Sequence, residues 1–378
     1  MTIGLTTTVL SGVSTTAPGV DGDGLFGVAA VWADAAHNGA VTMAISGSSP
    51  PYAPVVLNQN WTSFDTPAVA LASDWEQVFV AFVDYDGYIQ LATSGDGWTG
   101  TQSLSQGGLD AGPSLAYADN LLYIAWKTPL SQLAFATCDQ NGQINFFQSD
   151  KLLTSRPTIC ADDSSRIYVL CGGSVDSGPL PILIYLTLDG GRTFSDVKTR
   201  GTSSIGPPSL VNADKFYLAW ADGTTSYLRL AETADLGSYT AMDYDNGCHG
   251  GGPALLLMLT IPDVSDPRTW IFTLCTGWAI GAPPNDPTAH HVEVGSFGPL
   301  VVGAAHLENR RAKVAKLLAP RAPNPCPDPL TIYDPATGKC VPKGGCFGAC
   351  VLSSFSPLTG LFNPFSYAVC VARCLSHS

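Results

Sequence analysis

Three stretches of this chain carry one pattern of apolar and polar positions. They are "TPAVALASDWEQVFVAF" (66–82), "GPSLAYADNLLYIAW" (112–126) and "PPSLVNADKFYLAW" (207–220). In each, a proline precedes a short apolar run, a polar turn follows, and a second apolar run ends in an aromatic. Short apolar runs bounded by turn residues read as β-strands joined by hairpins. With the marker prolines extended along the chain, the series is Pro18, Pro67, Pro113, Pro157, Pro208 and Pro253, spaced by 49, 46, 44, 51 and 45 residues. A period in this range with four short strands per unit is the signature of propeller blades. Strand a follows the proline. Strand b is rich in small and β-branched residues. Strand c is apolar and ends in a polar turn, and strand d is short and polar.

A lone four-stranded blade exposes apolar side chains on both faces, so each copy needs a neighbour. The end of strand b aligns as Trp32, Phe82, Trp126, Cys171, Trp220 and Cys275, which predicts side chains filling the space between blades. The unit beginning at Pro253 has no fourth strand of its own. The N-terminal "LTTTVLSG" is strand-like and is expected, over residues 5–11, to complete that last blade and so cover its open edge. The fold expectation is therefore all-β: a six-bladed β-propeller over residues 1–303, closed by its N-terminal strand. A helix and proline linker over 304–325 and a small cysteine-rich helical module over 326–378 would follow.

Composition sharpens this picture. The chain has 378 residues with 39 Gly and 28 Pro, and only 13% are charged, as suits many tight turns. Its net charge of −13, with 18 basic residues, lacks the basic face that nucleic acids require. An acidic surface instead fits a glycan or a small neutral or cationic ligand. No apolar run is long enough for a membrane helix. The N-terminus shows no basic, apolar leader. Of 11 cysteines, six crowd into the tail: Cys326, Cys340, Cys346, Cys350, Cys370 and Cys374. An even, clustered number reads as a disulfide framework in an extracellular or secreted protein. "CFGAC" and "CVARC" place two cysteines at i and i+4, on one face of a helix each. One of the 15 connectivities is Cys346–Cys374, Cys350–Cys370 and Cys326–Cys340; zinc binding is the alternative. The apolar connector "VLSSFSPLTGLFNPFSY" suits packing on the propeller, self-association or a membrane contact. The five scattered cysteines read as inert buried thiols.

The turn "TLDGGRTF" (187–194) follows Ser/Thr-x-Asp-x-Gly-x-Thr-Trp/Phe. It resembles the Asp-box of the sialidase-like propellers, with Thr187, Asp189, Gly191, Thr193 and Phe194 matching. "TSGDGW" (93–98) is similar to a degenerate copy. The resemblance implies a propeller with the box on the face away from the active site, and so speaks to fold rather than chemistry. Sialidase chemistry would further imply three carboxylate-binding arginines, one in Arg-Ile-Pro, a Tyr–Glu pair and an aspartic acid. No Arg-Ile-Pro occurs here. Arg156 alone among the arginines opens a first strand. Arg166 falls in an a–b turn on the opposite face, and Arg192 falls in the box.

In a propeller, the d–a and b–c loops share one rim around the axis. The d–a loops bring Asp65, Asp110, Arg156 and His249 there, and the b–c loops bring Asp34, Asp84, Lys127 and Asp222. Asp34, Asp84 and Asp222 each stand two residues after the aligned position. Three readings apply to them: caps of their own turns, acceptors for sugar hydroxyls, or a glycosidase carboxylate pair. The chain has only four glutamates, Glu76, Glu232, Glu293 and Glu308, and Glu232 and Glu293 are expected near the other face. Long b–c insertions at 172–181 and 279–291 would rise over the rim. Adjacent strand residues point to opposite faces, which argues against one metal ion held by His290 and His291. No cofactor motif appears. The leading expectation is a lectin-like binder using Asp34, Asp65, Asp84, Asp110, Arg156, Asp222 and His249. The alternative is a glycoside hydrolase or other enzyme with an Asp-based site at the axial mouth.

Overall fold

The structure is a computed structural model. It describes residues 5–14, 16–22, 28–46, 55–72, 75, 77–107, 112–162, 166–173, 178–197, 202–212, 215–225, 227–237, 239–247, 254–260, 268–278, 290–300, 331–334 and 339–342. The protein is an all-β propeller built from four-stranded antiparallel sheets. Strand β1 (Leu5–Val13) precedes the first blade, which comprises β2 (Gly19–Gly22), β3 (Val28–Asp34), β4 (Ala40–Ser46) and β5 (Val55–Val56). The second has β6 (Ala68–Ala72), β7 (Gln77–Val83), β8 (Tyr88–Thr93) and β9 (Gln102–Gln106). The third has β10 (Ser114–Ala118), β11 (Leu121–Lys127), β12 (Gln132–Cys138) and β13 (Ile144–Leu152). In the fourth, β14 (Thr158–Ala161), β15 (Ile167–Cys171), β17 (Leu183–Thr187) and β18 (Ser195–Val197) form the blade. Its b–c insertion carries β16 (Leu180–Pro181), which pairs with β19 (Ser203–Ser204) in the loop leading to the next blade. The fifth has β20 (Ser209–Asn212), β21 (Phe216–Ala221), β22 (Tyr227–Thr233) and β23 (Thr240–Gly247).

Against the expectation of six, five blades are described with their packed side chains. The remaining sheet, β24 (Ala254–Thr260), β25 (Arg268–Trp278) and β26 (His290–Leu300) with β1 on its edge, is described by strand pairing alone. There Leu5 lies opposite Phe297 and Val9 opposite Glu293, so the N-terminal strand does pair where the pattern places it. The innermost strands touch in ring order: β2 with β6, then β10, β14 and β20, with β24 against both β20 and β2.

The cores lie between blades. Alternate side chains of each strand face opposite neighbours, and the aligned positions face the preceding blade. Phe82 packs with Val31 and Val41 of the first blade. Trp126 packs with Ala81 and Leu91 of the second, Cys171 with Tyr123 and Leu133 of the third, and Trp220 with Tyr168 and Leu170 of the fourth. All four are buried. Inner strands are also stitched by hydrogen bonds. Leu71 N donates to Asp21 Oδ2 (2.8 Å), Ile159 N to Ser114 Oγ (3.0 Å) and Thr158 Oγ1 to the Pro208 carbonyl (2.6 Å). Gly19 lets the first two inner strands approach, since a Cβ there would lie 2.5 Å from the Pro67 carbonyl oxygen.

At the c–d end, Asp189 Oδ1 accepts from Thr193 N (2.9 Å) and Oδ2 from the Thr193 hydroxyl (2.6 Å). Gly191 takes φ 99°, and a Cβ there would collide with the Phe135 ring of the third blade. Phe194 stacks edge-on against the same ring at 5.3 Å. The stretch 93–98 works alike: Thr93 Oγ1 accepts from Gly95 N (3.1 Å), and Trp98 is buried against Trp61 of the first blade. A further copy at Thr233–Tyr239 has Thr233 Oγ1 accepting from Leu236 N (3.0 Å) and Tyr239 against Trp220.

The scattered Cys138, Cys160 and Cys171 are buried free thiols. Burial, with the Asp139 charge beside it, pushes the Cys138 thiol up to about 11. In the tail, the described part is not helical. β27 (Thr331–Asp334) and β28 (Lys339–Pro342) form a hairpin, with Tyr333 opposite Cys340. β-branched and aromatic residues flanking "PATG" favour that outcome. The helices expected over 304–319 and around Cys346, Cys350, Cys370 and Cys374, with the proposed bridges and Cys326, lie outside the described residues.

Candidate functional site

The d–a and b–c loops do meet on one rim. The backbone of Ser14 bridges to Asp34, and that of Ser204 to Asp222. A buried serine pins the d–a loop in three blades. Ser14, Ser63 and Ser204 donate to the carbonyls of Thr16 (2.6 Å), Asp65 (2.5 Å) and Gly206 (2.7 Å). Each stands four residues before its marker proline, a repeat the sequence reading missed.

The three aligned aspartates cap their own b–c turns. Asp34 Oδ1 accepts from Ala36 N (2.9 Å), and its Oδ2 lies 2.8 Å from His37 Nδ1. Asp84 Oδ1 accepts from Asp86 N (3.1 Å) and Tyr88 N (2.8 Å), and Oδ2 from Gln90 Nε2 (2.7 Å). Asp222 Oδ1 accepts from Thr224 N (2.9 Å) and Thr225 N (3.0 Å), while Oδ2 pairs with Arg229 Nη1 at 3.1 Å. Burial would raise the Asp222 carboxyl. The two backbone hydrogen bonds and the Arg229 charge outweigh it and hold it below the usual carboxylate range. Asp65 ties two loops together, accepting from Thr66 N (2.6 Å) and, across the rim, from Gly112 N (2.8 Å).

Arg156 is buried at the axial mouth. With Pro18, Pro67, Pro113 and Ser209 it lines a cavity of about 60 Å³. Small-molecule sites usually enclose roughly 300–1,000 Å³, so the mouth formed by the described residues holds little more than water. Lys127 is buried at the end of β11. Arg166 pairs with Asp162 at 2.6 Å in the a–b turn, on the opposite face as expected. Asp110 and His249 lie outside the described residues. Glu232 stands at the c–d end and pairs with Lys215. Glu293 does not: it lies opposite Cys275, and so at the rim end of β26. His290 and His291 are consecutive in β26. Among the described residues no three His, Cys, Asp or Glu side chains converge on a metal position.

Aromatic residues that sequence reasoning passed over gather on the rim between the first two blades. Phe64 comes from the loop between β5 and β6, and Tyr85 from the b–c turn of the second blade. Their rings meet edge-to-face at 6.2 Å while remaining 54% and 65% exposed. Phe64 N donates to the Val83 carbonyl (2.8 Å), and Tyr85 OH to the Asn38 carbonyl (3.3 Å). The exposed His37 belongs to that same turn as Asn38. The only sequence signal was an aromatic within each of two turn-rich stretches, "TSFDTP" and "VDYDG".

No family model and no curated protein matches the chain. Solved propellers resemble it in fold. A mutant alpha-L-arabinofuranosidase from Fusarium graminearum, in complex with an iminosugar inhibitor, is 12% identical. The match covers 78% of this chain and 98% of that one, at a TM-score of 0.52. The SapL1 lectin in complex with alpha methyl fucoside is 10% identical over 77% and 98%, at 0.50. A Hadza microbial sialidase is 12% identical over 76% and 66%, at 0.50.

Proposed function

We propose that the protein is a lectin-like carbohydrate binder whose site is the loop rim between the first and second blades. The observation that carries this reading is the exposed Phe64–Tyr85 pair, held by backbone hydrogen bonds. Sugar rings stack their C–H faces on rigid aromatics, and nearby polar groups meet the hydroxyls. The exposed His37 of the adjoining turn supplies such a group. Two of the solved propellers of like fold carry a fucoside and an iminosugar, which supports a glycan as the ligand class. In this reading β1 and β24–β26 complete a sixth blade, the turn 187–194 is an Asp-box, and the cysteine-rich tail places the protein outside the cell.

The test is a glycan array followed by calorimetric titration of the best ligand. Phe64→Ala and Tyr85→Ala should each weaken binding tenfold or more, about 1.4 kcal/mol. Their melting temperatures should stay near wild type, since both rings are exposed. Unchanged affinity in both variants would refute the rim site. Release of free sugar from the ligand would replace binding by hydrolysis as the function.

A further inference from the structure

A groove lies on the opposite end of the propeller from the rim. It runs between the c–d hairpins of the second and third blades and has a volume of about 430 Å³, within the range of ligand sites. Its floor is apolar, formed by Phe79 and Leu91. Its walls carry Asp96, Gln102, Asp139 and Asn141. Among the described residues, no lysine, arginine or histidine lines it.

The two carboxylates are held by their turns in a way that leaves half of each open. Asp96 Oδ1 accepts from Trp98 N (2.9 Å) and Thr99 N (3.4 Å). Asp139 Oδ1 accepts from Asn141 N (2.9 Å) and Gln143 N (2.8 Å). The Oδ2 atom of each accepts no hydrogen bond from the described residues. A half-enclosed groove with an apolar floor, amide donors and acceptors, and two anionic oxygens without a counter-charge fits a ligand of mixed character. It needs an apolar ring face, several hydroxyls and a positive charge.

We propose that this groove binds an amino sugar in its protonated form. A hexosamine unit lays its C–H face over Phe79 and Leu91, its hydroxyls meet Gln102 and Asn141, and its ammonium lies among the open Oδ2 atoms. The inference stands on this groove alone and does not require the rim site.

The experiment is calorimetric titration of the full chain with a glucosamine tetramer, in parallel with the N-acetylated tetramer and tetralysine. The glucosamine tetramer should bind best, and its affinity should fall with added salt. Asp96→Asn with Asp139→Asn should cost at least tenfold in affinity, because asparagine keeps a carbonyl oxygen for the turn but removes the charge. Asn141→Arg, at an exposed position, should abolish binding by placing a positive group in the groove, and serves if the double variant folds poorly. Asp96→Asn with Asp139→Asn should leave binding of the rim ligand found on the glycan array unchanged, which separates failure here from failure at the rim. Wild-type affinity in the charge-removed variant or in Asn141→Arg would overturn the proposal. Equal binding of the N-acetylated tetramer or of tetralysine would overturn the amino-sugar assignment.

Discussion

The two ends of the propeller use the same residue for the same task and are left with different surfaces. At the rim, Asp34, Asp84 and Asp222 each cap a b–c turn with one oxygen. Each commits the other oxygen to a side chain: His37, Gln90 or Arg229. At the far end, Asp96 and Asp139 cap c–d turns through Oδ1 alone. Asp189, in the turn that most resembles an Asp-box, gives both oxygens to Thr193. A carboxylate's place in the repeat therefore does not decide whether it can meet a ligand. What its own turn leaves over decides it. At the rim the remaining chemistry is aromatic, and at the far end it is anionic.

The largest effect should come from the scaffold that both ends share. Trp126→Ala removes a buried ring between the second and third blades and should cost about 3–5 kcal/mol, measured by urea unfolding. Ligand binding should weaken at both ends; loss at the rim alone would mean that the ends are built independently. A smaller contrast separates the two kinds of aspartate. Asp222→Ala strips an acceptor from two amides and from Arg229 and should cost about 2–3 kcal/mol. Asp139→Asn should stay within about 0.5 kcal/mol, and equal losses would erase the distinction.

The smallest effect is in pH. The Thr193 hydroxyl and amide hold the Asp189 carboxyl at about 2, and Asp222 is also held low. Unfolded aspartate titrates near about 3.9. Groups depressed in this way stabilise the fold above that value, and the contribution is lost as pH falls through the folded one. Melting temperature should be level from about pH 7 to 5 and then decline between about pH 4 and 2. Asp222→Asn should make the decline shallower.

Strand order was readable because each blade repeats it. Proline punctuation, period-two alternation and the aligned bulky residue at Trp32, Phe82, Trp126, Cys171 and Trp220 all report one packing need. The pairing of the N-terminal strand with β26 followed from counting strands in the last unit. The threonine-capped logic shared by the c–d turns at Thr93, Thr187 and Thr233 was only half visible. Thr233–Tyr239 closes its turn one residue sooner than Thr187–Phe194, which breaks the pattern but not the hydrogen bonds. Site chemistry was least legible. Counting aspartates on the rim could not reveal which oxygens their own turns would take. Nor could it show Phe64 and Tyr85 meeting, because 21 positions of chain and two different loops separate them. Glu293 lies at the rim end rather than the far end because β26 runs on for seven residues beyond it, to Leu300.

The pairing of β1 with β26 sets a schedule for synthesis. β1 leaves the ribosome well before β26, and its partner becomes available only when the chain has grown to Leu300. Throughout that interval the segment "LTTTVLSGV" must stay extended and unpaired without recruiting other nascent chains. Its three consecutive threonines keep it hydrated while it waits, so a change of Thr6–Thr8 to valines should show first as a loss of soluble yield during expression.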